Sequence, residues 1–190
     1  MEVLNDFMNQ SVFNWINQFA DRIPFLDWFM ITSAEYAVWV MIGLLVIVWF
    51  LGDPSKQRIV FYACVASIVA LGLAKWGISP AVGHPRPFVE GTVHQLVPHV
   101  PDPSFPSKHA SFVFALAAAS FFIGRRFGGW MLLLAVLTGV SRVYVGVHYP
   151  GDILGGFILG SLVSIILIAT RNYTKSIPDF FIKIHQRVFR

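Results

Sequence analysis

Hydrophobic and polar residues follow one another along the chain in long blocks. Five apolar blocks are long enough to cross a membrane as helices, and they lie at roughly residues 35–51, 58–78, 108–124, 128–146 and 150–170. The last block has Pro150 near its first turn, where a helix tolerates proline. The pattern therefore predicts a chain with several transmembrane helices.

The stretch 11–30 shows a different pattern. Apolar residues recur there at helical spacing with polar and charged residues between them, and the apolar positions are Val12, Trp15, Ile16, Phe19 and Ile23. Such an amphipathic pattern predicts a helix that lies at the membrane surface. A sixth, partly re-entrant span at residues 23–34 is the alternative interpretation of the same stretch.

The composition agrees with a membrane protein. Hydrophobic residues make up 56% of the 190 residues and charged residues only 13%, which is about half the charge of a soluble domain. No linker, low-complexity segment or internal repeat divides the chain. We therefore expect an all-α integral membrane helical bundle with five to six transmembrane helices, formed by a single domain of residues 1–190. Its parts are an interfacial or re-entrant segment at 1–34, the bundle at 35–170 and a basic tail at 171–190.

Basic residues concentrate at one end of the predicted bundle. With five spans, nine of them fall on the same side: Lys56, Arg58, Arg125, Arg126, Arg171, Lys175, Lys183, Arg187 and Arg190. The positive-inside rule assigns this side, together with the C-terminus, to the cytoplasm. Membrane topology thus explains the net charge of +4, and no nucleic-acid partner is expected.

Three polar clusters fall at the opposite end, which the topology predicts to face outside. Their sequences are KWGISPAVGHPRPF at 75–88, FPSKH at 105–109 and SRVYVGVHYPGD at 141–152. A compact bundle would bring these loops together. Because positive charge on the outer side works against the topology, we expect the few cations at this end to have a functional role.

The residue types in these clusters favour phosphate chemistry. Arg86 and Arg142 offer planar guanidinium forks that can bind phosphate through two hydrogen bonds each. Ser107 is placed to cap the helix that follows it, which leaves backbone N–H groups at a helix N-terminus available to an anion. Two histidines and a carboxylate complete a set that predicts phosphoryl transfer.

The three clusters resemble the motifs of the type-2 phosphatidic acid phosphatase superfamily. Those motifs are Lys, six residues, Arg-Pro; then Pro-Ser-Gly-His; then Ser-Arg, five residues, His, three residues, Asp. The third motif matches completely, at Ser141, Arg142, His148 and Asp152. The resemblance covers roughly residues 35–170 and implies a metal-independent phosphatase.

The other two motifs match in part. In the second motif, Lys108 takes the glycine position between the serine and the histidine. In the first motif the Arg-Pro pair is present at Arg86, but Ser79 occupies the lysine position. Lys75 lies one helical turn earlier, from where its long side chain could reach the same phosphate.

The superfamily resemblance also implies a role for each matching residue. His148 would be the nucleophile that forms a phosphohistidine, Asp152 would orient its other ring nitrogen, and His109 would be the general acid. The phosphoryl group would be contacted by Arg86, Arg142 and Ser107. Lys108 would contribute its backbone N–H while its ammonium faces the second phosphate or lipid headgroups, and Lys75 would take the place of the missing lysine.

The stretch 85–112 is similar to bacterial undecaprenyl-diphosphatases of the bacitracin-resistance type. This resemblance implies hydrolysis of undecaprenyl diphosphate to undecaprenyl phosphate and inorganic phosphate at the outer face of the bacterial cytoplasmic membrane. That reaction recycles the lipid carrier of peptidoglycan synthesis and confers bacitracin resistance. The implied partners are a polyprenyl diphosphate substrate and membrane lipids. The resemblance implies no cofactor and defines no oligomeric state.

Two other functions are compatible with the same residues. A phosphatase for phosphatidylglycerol phosphate or phosphatidic acid would use the same catalytic set. A permease or transport subunit would place ionisable residues within the spans, whereas here they gather at the outer ends.

Three further features carry expectations of their own. The loop 84–105 contains His84, Glu90, His94, His99 and Asp102, and we expect a polar loop rather than a metal site, because the spacings fit no compact ligand set. Glu35 opens the first predicted span and either pairs with an outer-face cation or extends towards the membrane surface. Four glycines of the last span predict close helix packing: Gly151, Gly155, Gly156 and Gly160.

Overall fold

The regular secondary structure is all helical in the computed structural model, which describes residues 2–189 and the side chains of residues 8–189. In chain order the helices are α1 (Glu2–Asn17), α2 (Pro24–Leu51), α3 (Pro54–Gly72), α4 (Ser79–Val82), α5 (Pro87–Glu90), α6 (Lys108–Ser120), α7 (Arg125–Tyr144), α8 (Pro150–Ala169), α9 (Arg171–Thr174) and α10 (Ser176–Phe189). A π-helical turn, Leu73–Ile78, joins α3 to α4. Since residues 2–189 contain no strand, the predicted all-α class is confirmed.

Four helical segments are long and apolar enough to cross a membrane. They are Pro24–Leu51, Pro54–Glu90, Arg125–Tyr144 and Pro150–Ala169. The predicted span 108–124 is instead the 13-residue helix α6, most of which is buried against α3, α7 and α8. The protein is therefore a multi-pass membrane bundle in which longer helices enclose a short central one. With α6, five helices connect the two ends of the bundle, and no sixth span forms within residues 2–189.

The N-terminal segment differs from its sequence prediction. The predicted helix at 11–30 is divided, because α1 ends at Asn17 and α2 begins at Pro24. In the turn between them Asp21 adopts a φ of 62°, a left-handed conformation that stops a helix. Residues 24–34 belong to α2, so they are not a separate re-entrant segment, and the first long helix is 28 residues long.

Two polar side chains in the first turns of α2 are hydrogen-bonded. The Ser33 hydroxyl donates to the Phe29 carbonyl at 2.8 Å, and the Asp27 carboxylate accepts from the Tyr144 hydroxyl at 2.7 Å. Because these groups are hydrogen-bonded, the helix can continue through them without exposing an unpaired polar group to lipid.

Glycines of α8 allow α6 to approach it closely. A Cβ atom on Gly160 would lie 2.3 Å from the carbonyl oxygen of Ser111, and one on Gly156 would lie 2.6 Å from the Cβ of Ala110. A Cβ on Gly155 would meet the Phe105 ring at 2.4 Å. The predicted close packing at these glycines is confirmed, and it sets the distance between the helices that carry the second and third motifs.

Helix α1 holds the long loop 91–107 over one end of the bundle. The buried side chain of Asn17 donates to the carbonyls of His94 and Tyr144, at 2.8 Å each, and accepts from the His94 N–H at 3.0 Å. The loop is also joined to the end of α7 by the hydrogen bond from Leu96 N–H to the Val145 carbonyl. All three polar clusters therefore begin or end at this one end of the bundle.

The predicted basic tail is helical as far as residue 189. Helices α9 and α10 turn back against α3 at the other end of the bundle. The Tyr62 hydroxyl donates to the Arg171 carbonyl at 3.1 Å, and it lies 2.8 Å from the Thr174 hydroxyl. These contacts fix the turn between α8 and α9.

Candidate active site

His148 and Asp152 form a buried pair where α7 is connected to α8. The Nδ1 atom of His148 lies 3.2 Å from Oδ2 of Asp152, and both side chains are buried. Pro150 starts α8, and the Tyr149 N–H donates to the same Asp152 oxygen at 2.8 Å, which caps the helix. The carboxylate thus favours the tautomer in which Nδ1 carries the proton, leaving a lone pair on Nε2.

Arg86 approaches His148 from the loop before α5. Its Nη1 atom lies 3.1 Å from Nε2 of His148 and donates to the Val147 carbonyl at 2.7 Å. On its other side Arg86 is held by Asp102, whose carboxylate lies 2.9 Å from both Nε and Nη2. The guanidinium is therefore fully buried and fixed beside the ring nitrogen that carries the lone pair.

Arg142 carries two buried N–H donor groups without partners. It lies in the last turn of α7 and is only 1% exposed. Its Nη1 atom contacts Oε1 of Glu35 at 3.2 Å, but Nε and Nη2 have no hydrogen-bond partner among residues 8–189. A buried charged group left unpaired is unfavourable, so these two donors define a place for an anion. Of the two alternatives for Glu35, the structure shows the one in which it pairs with a cation. Glu35 lies within α2 rather than at the start of a helix.

The N-terminus of α6 brings the second motif to the same place. The Ser107 hydroxyl accepts from the Ala110 N–H at 3.4 Å, as predicted for an N-cap, and the Ser107 N–H donates to the Asp152 carbonyl at 3.0 Å. The ammonium of Lys108 forms an ion pair with Asp102. His109 lies near Arg142 and His148, and its ring makes no hydrogen bond within the described chain.

Lys75 is not brought to this cluster. It lies in the π-helical turn with an exposed side chain, and its ammonium is 5.4 Å from the centroid of the Trp76 ring. Ser79, at the lysine position of the first motif, is buried and donates to the Pro103 carbonyl at 3.1 Å. Of the eight predicted site residues, the structure therefore gathers seven and leaves Lys75 apart.

Two residues outside the three motifs belong to the cluster. Asp102 pairs with Arg86 and Lys108 together, and its Oδ1 is 3.8 Å from Nδ1 of His99. The buried Ser104 hydroxyl lies 3.2 Å from Oδ1 of Asp152 and 3.0 Å from Nδ1 of His84. Asp102 was recognisable only as one of two acids in a loop with three histidines, and Ser104 carried no signal.

The charges of the cluster act on its ionisable groups. Burial alone would raise the pKa of Asp102, but the hydrogen bond from Lys108 and the charge of Arg86 outweigh it and lower the pKa to about 2. Burial, together with the charges of Arg86 and Arg142, lowers the pKa of His148 well below its ordinary range. His148 is therefore neutral at physiological pH, the form in which its Nε2 lone pair is free to attack.

The remaining ionisable residues of loop 84–105 are distributed among different partners. Glu90 lies 3.1 Å from the Tyr149 hydroxyl, and His94 contacts Asp21 at 3.1 Å. The His99 ring packs edge-on against that of His148, with centroids 6.4 Å apart. Within residues 8–189, no three His, Cys, Asp or Glu side chains are arranged to hold a metal ion. His99 thus lies beside the site, whereas Glu90 and His94 connect the loop to Tyr149 and to the turn before α2.

Comparisons with known proteins agree with this geometry. A family model described as the PAP2 superfamily matches residues 56–176. The undecaprenyl-diphosphatase BcrC of Bacillus subtilis is 31% identical over 95% of this chain and 93% of its own length. A putative undecaprenyl-diphosphatase of Escherichia coli, YbjG, is 35% identical over 82% of this chain and 78% of its own length. The crystal structure of Aquifex aeolicus LpxE superposes with a TM-score of 0.68 at 25% identity, covering 85% of this chain and 95% of that one.

The helical bundle and its buried cluster of histidines and arginines are those of a membrane-bound lipid phosphatase. The chain belongs to the PAP2 superfamily, since the family model matches more than half of it and a relative above 30% identity aligns over nearly its whole length. The superfamily predicted from the three motifs is confirmed.

Proposed function

We propose that this protein hydrolyses undecaprenyl diphosphate to undecaprenyl phosphate and inorganic phosphate. The observation that carries the proposal is the pair of unpartnered N–H donors on buried Arg142, located beside a neutral histidine. Two fixed donors in a buried site suit a phosphoryl group whose charge grows in the transition state. The names of the relatives, undecaprenyl-diphosphatase in Bacillus subtilis and putatively in Escherichia coli, support the choice of substrate.

A cavity beside the site suits the lipid part of such a substrate. It has a volume of about 540 Å³, lies between α1 and α8, and reaches Asp152 and His84. Most of its wall is apolar, with Met8, Leu154 and Ile158 among the lining residues. An apolar cavity that adjoins a charged cluster fits a molecule with a diphosphate head and a prenyl chain.

The first chemical step transfers the terminal phosphoryl group to His148. Its Nε2 lone pair attacks the phosphorus, and the bond to the bridging oxygen breaks, so that the electron pair leaves with undecaprenyl phosphate. Arg142 binds the phosphoryl oxygens, and Arg86, already 3.1 Å from Nε2, turns its Nη1 donor to them. His109 takes up a proton when the negatively charged diphosphate binds beside it, and gives that proton to the departing oxygen. Asp152 stabilises the positive charge that develops on the His148 ring.

The second step releases inorganic phosphate. The His109 ring, neutral after giving up its proton, accepts one from a water molecule that attacks the phosphohistidine. The bond between phosphorus and Nε2 breaks, and His148 returns to its neutral form with Nδ1 still donating to Asp152. Lys108, paired with Asp102 at the edge of the site, is placed to contact the second phosphate of the substrate.

The proposed setting is the bacterial cytoplasmic membrane, with the site facing outside and the C-terminus in the cytoplasm. The concentration of Lys and Arg at the end of the bundle opposite the site supports this orientation. In that position the enzyme would recycle the carrier lipid of peptidoglycan synthesis. By removing the diphosphate form of this lipid, it would confer resistance to bacitracin.

Phosphate release from undecaprenyl diphosphate by the detergent-purified protein tests the proposal. The assay runs in excess EDTA with His148→Ala alongside, and competition with phosphatidylglycerol phosphate and phosphatidic acid ranks the substrates. We expect the wild type to release phosphate and His148→Ala to release none. We also expect the competing lipids to inhibit the release from undecaprenyl diphosphate only weakly. Equal release by His148→Ala would refute the role of His148 as the nucleophile. Stronger hydrolysis of a competing lipid would make that lipid the preferred substrate in place of undecaprenyl diphosphate. No hydrolysis of any lipid would favour a transport function.

A further inference from the structure

A second cavity, with a partly polar wall, lies at the end of the bundle opposite the candidate active site. It has a volume of about 390 Å³ and is enclosed by α3, α9 and α10. Its polar lining includes Arg58, Tyr62, Arg171, Lys175 and Asp179. We call this space the basal cavity. None of its lining residues takes part in the proposed reaction.

The basal cavity has an excess of positive charge. Arg58 is paired with Asp179, because its Nε lies 2.6 Å from the carboxylate. Arg171 and Lys175 have no carboxylate partner among the described side chains, and the only hydrogen bond of the Arg171 guanidinium is a long one to the Ile168 carbonyl, at 3.5 Å. The hydrogen bonds of Tyr62 fix the turn between α8 and α9, which carries Arg171. The cavity is thus a shaped site with two cations available to an anion.

Helix α10 divides its surface into three faces beside this cavity. Pro178, Ile182 and His185 are buried against the bundle. A neighbouring stripe at positions i, i+4, i+7 and i+11 is exposed and apolar, and it consists of Ile177, Phe181, Ile184 and Val188. The remaining face carries Lys183 and Arg187. A helix with one apolar and one basic exposed face lies in the headgroup region of an anionic membrane.

Apolar residues also reach the basal cavity itself. Ile59 and Phe122 line it beside the charged residues. A ligand held there would have its anionic part against Arg171 and Lys175 and an apolar part against these side chains and the surrounding bilayer. Free phosphate could satisfy the cations but would leave this apolar wall unused.

We propose that the basal cavity binds the phosphate headgroup of an anionic phospholipid from the adjacent leaflet. Arg171 and Lys175 contact the phosphate, and the acyl chains extend along the apolar wall into the bilayer. The bound lipid would secure α9 and α10 against α3. The inference does not depend on the reaction at the other end of the bundle.

Native mass spectrometry of the delipidated full-length protein with added phosphatidylglycerol tests this site. The double variant Arg171→Ala/Lys175→Ala is compared with Arg125→Ala/Arg126→Ala, which removes two exposed cations from the same end but outside the cavity. We expect the wild type to retain one phosphatidylglycerol in preference to phosphatidylcholine. The double variant in the cavity should retain at least about tenfold less phosphatidylglycerol than the wild type. The control variant should match the wild type. Circular dichroism checks that both variants remain helical.

Two further measurements test where the lipid binds and whether the site prefers a lipid to a soluble phosphate. Retention should survive Arg142→Ala, which removes the anion donors of the candidate active site, and loss in that variant would place the lipid there instead. Inorganic phosphate and glycerol phosphate should not displace the lipid at equal concentration. Displacement by either would make the cavity a site for a soluble phosphate. Equal losses in both double variants, or no preference over phosphatidylcholine, would overturn the proposal in favour of diffuse charge attraction.

Discussion

Substituting Asp102 by asparagine tests whether this carboxylate positions Arg86. In the structure Asp102 contacts both Nε and Nη2 of Arg86 at 2.9 Å and also pairs with Lys108. Asparagine has nearly the same shape but carries no charge, so both cations lose their ionic partner while the loop keeps its packing. The variant therefore separates the charge of Asp102 from its volume.

The pKa of Asp102 sets the size of the expected effect. A pKa of about 2, against an ordinary value of 3.8, corresponds to about 2.4 kcal/mol in favour of the folded, ionised state. Because the side chain is 33% exposed, solvent screening reduces this to about 1 kcal/mol. For a chain of this length we expect Asp102→Asn to lower Tm by about 2–4 °C.

The pH dependence follows from the direction of the shift. The pKa is lowered in the folded state, so the stabilisation is fully present above the unfolded value near pH 4 and is lost as the pH falls through about 2. The difference in Tm between wild type and Asp102→Asn should therefore be constant from about pH 5 to pH 8. Thermal unfolding in detergent, followed by circular dichroism, measures it. Asp21→Asn is the control, because Asp21 is 61% exposed and its contact with His94 should contribute little.

Catalysis gives a second readout for the same variant. Asp102 holds Arg86 from the side away from His148. Without this ion pair the Arg86 guanidinium should no longer be fixed where it contacts the phosphate, and kcat/KM should fall by about ten- to a hundredfold. A variant with wild-type Tm and wild-type kcat/KM would refute this reasoning. In that case the hydrogen bond to the Val147 carbonyl and the surrounding packing would suffice to place Arg86.

The remaining predictions concern the anion donors, the nucleophile, the helix packing and the missing lysine. Arg142→Lys should reduce kcat by about 10²–10³-fold, because lysine cannot reproduce two fixed N–H donors, and unchanged kcat would exclude their role. In a pH profile, kcat/KM should persist below pH 6.5, since the pKa of His148 is lowered and its neutral form attacks; an acid limb at or above that pH would contradict this. Gly160→Ala should be destabilised by about 1–3 kcal/mol in a thermal melt, because its methyl would overlap a backbone carbonyl, whereas Gly43→Ala meets open space and should unfold like the wild type. Lys75→Ala should release phosphate at nearly the wild-type rate, because its ammonium lies apart from the cluster, and a marked loss would return it to the site.

Short-range spacing accounts for the part of the site that the sequence could predict. His148 and Asp152 are four residues apart, and the proline and capping contacts that fix their geometry lie between them. Ser107 likewise caps the helix that begins at the next residue. Such local relations are encoded in neighbouring residues, so a motif preserves them without knowledge of the rest of the fold.

Long-range contacts account for what the sequence could not predict. Asp102 reaches Arg86 only because an irregular loop folds over the bundle, and no periodic pattern describes such a loop. Helix α2 extends back to Pro24 because α7 supplies the Tyr144 hydroxyl for Asp27, more than a hundred residues away. Helix α6 is likewise shorter than the apolar block that predicted it, and it is enclosed by α3, α7 and α8. Contacts of this kind override local propensity and pattern.

Biosynthesis has to accommodate a central helix that cannot enter the bilayer by itself. At 13 residues α6 spans about 20 Å, whereas the hydrocarbon core is about 30 Å thick. Two of its covering partners, α7 and α8, are synthesised after it, so we expect α6 to be shielded from lipid only after α8 has been made. A chain truncated before residue 150 should therefore leave α6 unprotected and be removed by membrane proteases.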